Sequence, residues 1–178
     1  RDSINIDIPE KCISVIMGLS GSGKSTLIRH INRLIEPTEG EVIIDDIDIL
    51  GMSIEELREF RRNKASMVFQ KFALFPHRTV LQNTAYGLTI QKIAEKEAIE
   101  RSQHWIERVG LSGFENHYPA QLSGGMQQRV GLARALTTDA EILLMDEAFS
   151  ALDPLIRTDM QEILLDLQAE LNKTIVFI

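Results

Sequence analysis

The sequence predicts an α/β fold: a sheet domain with a helical unit inserted into it. Short apolar runs of strand character alternate with helical periodicity across residues 12–69 and again across residues 142–178. Between these stretches, residues 71–138 carry helical periodicity and no convincing strand. A glycine-rich loop joins the first strand-like run directly to the first helical one, as a phosphate-binding turn requires. The expected division is therefore a discontinuous sheet domain, residues 1–70 and 139–178, around a helical subdomain, residues 71–138.

Taken in order, the apolar run 12–17 leads into Gly18-Leu19-Ser20-Gly21-Ser22-Gly23-Lys24-Ser25. Leu27, Ile28, Ile31, Leu34 and Ile35 then recur at helical spacing, predicting a helix that Glu36-Pro37 stops. Residues 42–44 read as a strand. Ser53 with Glu56 forms a capping-box pattern and opens a helix to about Arg62. A strand over 66–69 ends at Gln70. In the helical stretch, Thr79 and Gln82 open one helix, residues 93–109 form a second closed by Gly110, and residues 124–136 form a third. A strand is expected at 142–145. Asp153-Pro154 then supplies the N-cap and first position of a helix with Ile156, Met160, Ile163, Leu164, Leu167 and Leu171 on one face. The last run, 174–178, reads as a strand.

Composition narrows the function classes. A chain of 178 residues, 44% hydrophobic and 25% charged, is long enough for one sizeable core. A net charge of −7 argues against a nucleic-acid-binding surface. The basic cluster Arg58, Arg61, Arg62 and Lys64 reads as a solvated face near a helix end. The single cysteine, Cys12, lies in an apolar run, reads as a small buried hydrophobe and fits a reducing compartment. No apolar stretch approaches the roughly 20 residues needed to cross a bilayer, and no secretory signal is visible.

The loop at Gly18 matches the phosphate-loop pattern. Its glycines let the backbone curl so that successive N–H groups face phosphate oxygens. Lys24 suits the β- and γ-phosphates, and the Ser25 hydroxyl suits Mg²⁺. The apolar run 142–145 ends in Asp146-Glu147, where Asp146 fits the metal's shell and Glu147 fits a base that polarises water. Gln70, after another strand, has an amide suited to metal or water. Leu122-Ser123-Gly124-Gly125-Met126-Gln127-Gln128-Arg129 places a capping serine and two glycines at a helix start, a second anion site on the same chain.

Gly18 to Ser25, Gln70, Leu122 to Arg129, Asp146-Glu147 and Ser150-Ala151-Leu152-Asp153 together resemble the ATP-binding subunit of an ABC transporter. They stand in that family's order and at similar spacing, over essentially the whole chain. The resemblance implies a P-loop NTPase core of the ABC ATPase type, with ATP and Mg²⁺ as cofactors. It implies a nucleotide set of Gly18, Leu19, Ser20, Gly21, Ser22, Gly23, Lys24, Ser25 and Thr26. Ser123, Gly124 and Gly125 would contact ATP across a head-to-tail dimer of two copies, with Asp153 lining that interface. Metal binding falls to Ser25, Gln70 and Asp146, and catalysis to Glu147 and Gln70. The implied partners are transmembrane permease subunits and, indirectly, a substrate-binding protein, at the cytoplasmic face of the membrane.

Longer strings narrow the resemblance. Residues 146–157, Met17-Gly18-Leu19-Ser20, Leu34-Ile35-Glu36-Pro37-Thr38 and residues 69–77 are similar to importer ATPases for glycine betaine, proline betaine and related quaternary amines. An importer ATPase for amino acids or another small solute is the nearest alternative, and a non-transport ABC ATPase a more distant one. The segment 71–80 is expected near the permease, with Phe72, Leu74 and Phe75 serving either there or in the core. Trp105 is expected in the core. Lys11 and Asp46 stand where the family usually has glycine. The family's adenine-stacking aromatic and γ-phosphate histidine are both missing, and none of His30, His77, His104 or His117 is placed to replace the histidine. The domain is expected to be incomplete at both ends.

Overall fold

The computed structural model describes residues 4–69, 73–150 and 152–178. A four-stranded parallel sheet is ordered β1 (Ile13–Val15), β6 (Thr174–Phe177), β5 (Ile142–Asp146), β4 (Ala65–Phe69). The hydrogen-bonded register pairs Phe69 with Asp146, Met145 with Phe177 and Val15 with Phe177. The strand ends therefore lie side by side along one edge. Loops leaving the carboxyl ends of parallel strands are where such sheets place ligands.

Helix α1 (Lys24–Ile31) follows β1 through the glycine loop. It is shorter than the apolar repeat predicts, because Arg33 turns to φ 51° and its chain folds back. Leu34 and Ile35 donate to the carbonyl of Arg29, at 2.9 and 3.2 Å. The Arg61 guanidinium, from α2 (Ile54–Asn63), caps the freed carbonyls of Asn32 and Arg33. A cation at a helix carboxyl end satisfies exposed acceptors and complements the dipole. Arg61 is thus structural, and burial beside Arg33 pushes its guanidinium below its ordinary value. The rest of the basic cluster is also engaged, Arg58 with Glu55, Arg62 with Glu59, and Lys64 with both Asp45 and Glu141.

The expected strand at 42–44 is one arm of a hairpin, β2 (Ile43–Ile44) and β3 (Ile47–Asp48). Asp45 and Asp46 form its turn, both left-handed at φ 50° and 63°. Lys11, the other position lacking the family's glycine, also has a positive φ, 55°. Cys12 is half-buried, with its thiol 3.2 Å from the Pro9 carbonyl.

Residues 73–138 contain α3 (Val80–Ile90), α4 (Glu95–Arg108) and α5 (Gly124–Thr137), and no strand. The capping boxes at Ser53/Glu56 and Thr79/Gln82 both form as the sequence predicts. Helix α4 begins at Glu95 rather than Ile93, and Gly110 closes its end at φ 72°. Helix α6 (Pro154–Leu171) buries Met160, Leu164 and Leu167, the centre of its predicted apolar face. These residues join Val80, Ile106, Val130 and Leu132 from the helical stretch and Leu143, Met145 and Ile175 from the sheet in one continuous core. Trp105 packs at its margin. The helical stretch therefore shares its hydrophobic interior with one face of the sheet.

Candidate functional site

The loop from Gly18 to Gly23 wraps tightly. Gly21 and Gly23 hold φ of 76° and 95°, left-handed conformations that a Cβ would strain. The Ser22 amide donates to the Leu19 carbonyl at 3.2 Å, closing the turn. The Lys24 ammonium bends back over the loop and donates to the carbonyls of Gly18 and Leu19, each at 2.9 Å. Gly23 is the N-cap of α1 and offers no side chain there, so no side-chain cap occupies the helix amino end. Ser25 is half-buried and Thr26 exposed at this first turn.

Asp146 ends β5 and is 1% exposed. Its Oδ2 accepts from Arg29 Nε at 2.9 Å and Nη2 at 2.6 Å. Its Oδ1 is buried and has no hydrogen-bond partner. An ionised carboxylate oxygen left so costs on the order of 1–3 kcal/mol unless a further donor or cation meets it. A buried strand-end carboxylate with one oxygen unpartnered, tied to α1 through Arg29, has the chemistry of an oxygen ligand for a hydrated divalent cation. No cluster of three or more His, Cys, Asp or Glu among the described residues could hold a metal by itself.

Glu147 follows at φ 48°, a left-handed conformation costly for a non-glycine residue. Its carbonyl accepts from the Ser150 amide at 3.1 Å and the Ser150 hydroxyl at 2.8 Å, which fixes the turn. Downstream, the Arg157 guanidinium of α6 donates to the carbonyls of Phe149 at 3.2 Å and Leu152 at 2.9 Å. Asp153 caps α6, accepting from the amides of Leu155 and Ile156. Gln70, expected to join this group, lies outside the described residues, as does Phe72.

Ser123 is the N-cap of α5, and its hydroxyl accepts from the Met126 amide at 3.3 Å. Ser123 and Gly124 are exposed, and a Cβ on Gly124 would meet nothing within 4 Å. Gly125 differs: it is buried against α6, where a Cβ would come within 2.9 Å of Ile156 Cγ2. The glycine pair thus does two jobs, one facing outward and one packing inward.

In the helical stretch, Asn83 is fully buried and ties the segment before α3 to that helix. Its Oδ1 accepts from the Phe75 amide at 2.8 Å, and its Nδ2 donates to the carbonyls of Phe75, Arg78 and Thr79 at 3.1, 2.9 and 3.0 Å. Phe75 packs against Tyr86 in a tilted arrangement, with centroids 4.5 Å apart and planes inclined by 58°, and the Arg78 guanidinium lies over both rings. Leu74 packs on the main core. A shallow cavity of about 300 Å³ beside Phe75 and Tyr86 is walled by Arg134, whose guanidinium burial pushes below its ordinary value. A larger hollow, about 820 Å³, lies between the hairpin and α2 and shares no residue with the phosphate loop or Asp146.

Sequence reasoning missed Arg29, Asn83 and Arg157. Each acts on a group distant in the chain or on backbone carbonyls, and neither leaves a local pattern.

Comparison with known proteins identifies the family. The sequence model described as ABC transporter matches residues 2–150. The chain is 66% identical over 166 residues to the glycine betaine transport ATP-binding protein OpuAA of Bacillus subtilis (strain 168), covering 93% of this chain and 40% of that protein. It is 60% identical to the glycine betaine/proline betaine transport system ATP-binding protein ProV of Salmonella typhimurium, covering 98% of this chain and 44% of ProV. It thus spans less than half the length of these relatives. Among solved structures, the dimeric bacterial ABC transporter cassette MJ0796 superimposes with a TM-score of 0.88 at 40% identity, covering 98% of this chain and 77% of that one. A post-hydrolysis dimer of the same cassette, bound to ADP and Pi, superimposes equally well, with a TM-score of 0.88. A phosphate loop, a strand-end Asp-Glu pair and a Ser-Gly-Gly helix start on one parallel-sheet scaffold, together with these matches, place the chain in the ABC transporter family.

Proposed function

We propose that this chain is the ATP-hydrolysing part of an importer subunit that powers uptake of glycine betaine or a related quaternary amine. The observation that carries this reading is the pair of separate helix starts, one at Gly23 with no side-chain cap and one at the exposed Ser123 and Gly124, each suited to phosphate. One phosphate loop suffices to bind a nucleotide within a chain. The exposed Ser123-Gly124 start of α5 therefore suits the nucleotide of a second copy, docked head to tail.

In this reading Gly18 to Thr26 cradle the phosphates and Lys24 leaves its carbonyl partners for the β- and γ-phosphates. Ser25, Asp146 and Gln70 hold Mg²⁺, which neutralises phosphate charge when bound. Gln70 is the next residue after Phe69, the register partner of Asp146. Glu147 polarises the attacking water. Residues 71–138 act as a helical subdomain against the sheet domain 1–70 and 139–178. The segment before α3, with Phe75 and Arg78 displayed on Asn83, meets the transmembrane permease, and a substrate-binding protein acts through that permease. The subunit then sits peripherally at the cytoplasmic face of the membrane; no helix among the described residues is long and apolar enough to cross it. The quaternary-amine assignment is supported by the names of OpuAA and ProV.

The test uses the full-length subunit. Ser123→Arg should leave nucleotide binding to the monomer intact and block ATP-dependent dimerisation, read by size-exclusion chromatography with light scattering. Equal loss of monomer binding would show that Ser123 serves its own chain's nucleotide. Reconstitution with its permease should show ATPase stimulation by glycine betaine and not by amino acids; the reverse would overturn the solute class.

A further inference from the structure

We propose that Arg29 is a positioning residue for the Asp146 carboxylate, pinning one oxygen so that the other is presented to the divalent cation bound with nucleotide. The proposal rests on the nucleotide reading above. Arg29 lies one helical turn after Ser25, on the same face of α1. It reaches across to β5 and places two donors on the single oxygen Oδ2, at 2.9 and 2.6 Å. The acceptor is 1% exposed while the Arg29 side chain is 39% exposed, so the carboxylate is the fixed and desolvated member of the pair. Among the described residues no other cation lies within ion-pair distance of Asp146.

The arrangement is asymmetric. A carboxylate accepts at both oxygens, yet Oδ1 is buried with no partner. A link serving only to join α1 to the sheet would be better made with both oxygens satisfied, as paired Arg–carboxylate geometry allows. Loading both donors on Oδ2 instead restricts the carboxylate and leaves Oδ1 for a ligand. Arg29 is itself held, since its carbonyl accepts from Leu34 and Ile35 where α1 folds back. Outer groups that orient a ligand oxygen commonly affect metal affinity about 10–100-fold.

The experiment measures Mn²⁺ affinity of the full-length subunit by electron paramagnetic resonance, at saturating non-hydrolysable ATP analogue. Arg29→Met, close in volume and uncharged, should weaken Mn²⁺ binding about 10-fold or more while metal-free analogue binding is unchanged. Arg29→Lys keeps the charge with one donor nitrogen and should show an intermediate loss; it also serves where Arg29→Met folds poorly. A lower melting temperature with unchanged Mn²⁺ affinity would reduce Arg29 to structural glue. Tighter Mn²⁺ binding would make it a competitor of the cation. Either result overturns the proposal and leaves the nucleotide reading standing. Failure of the wild-type subunit to bind Mn²⁺ with the analogue would overturn both.

Discussion

Gly125 and Ile156 are in such close approach that a single added carbon on the glycine would lie 2.9 Å from Ile156 Cγ2 and 3.1 Å from Cδ1. Cγ2 is a methyl on a branched Cβ whose χ1 rotamer is strongly preferred in a helix, so it does not swing aside without cost. Gly125→Ala should therefore destabilise the fold by about 1–3 kcal/mol, despite alanine's better helix propensity. Gly124→Ala, with open space around it, should be neutral or slightly stabilising. Chemical denaturation of both variants checks this. Trimming Ile156 to alanine in the Gly125→Ala background should recover part of the loss, and full additivity would show that the contact does not set the cost.

Glu147→Gln keeps the shape of the side chain and removes its basicity. In the full-length subunit, ATP turnover should fall by about 100-fold or more while ATP binding persists. Unaltered turnover would exclude Glu147 as the base.

Asn83 spends both ends of its amide on backbone groups around Phe75 and Thr79 in a fully buried place. Asn83→Ala leaves those groups without their partner and should cost about 2–4 kcal/mol. Hydrogen exchange should accelerate first at the Phe75 amide, ahead of the helical interior. Uniform acceleration across α3 would argue against a local role.

The two capping boxes differ in pH response. Glu56 accepts from the Ser53 amide and hydroxyl, which holds its carboxyl below the usual range. A carboxylate lowered on folding contributes stability at neutral pH that is lost as pH falls through its folded value. Glu56→Gln should remove that acid dependence, because Gln82 makes the same bond without charge at Thr79. Denaturation midpoints compared between about pH 7 and pH 3 test the sign.

What was legible in the sequence was local. Ser53, Thr79, Ser123 and Asp153 each cap a helix a few residues away, so their identities announce the helix starts. The phosphate loop and Asp146-Glu147 are likewise contiguous strings whose spacing implies their place at strand ends. The end of α1 was not legible, because Arg61 caps it from a different helix while Leu34 and Ile35 keep an apolar repeat past the true end. Strand β3 was missed because two residues hold no periodicity, and its turn uses Asp45-Asp46 where a glycine would have signalled it. Arg29 reads as one more charged helix residue until the fold brings Asp146 alongside it.

The amide of Asn83 has a mechanical meaning. By binding Phe75, Arg78 and Thr79 to one side chain of α3, it anchors an irregular stretch of chain to the helix it precedes. Displacing that stretch requires breaking those hydrogen bonds or moving α3 with it. Val80 and Leu81 of α3 belong in turn to the core that includes Leu143, Met145 and Ile175, so packed side chains join that stretch to the sheet.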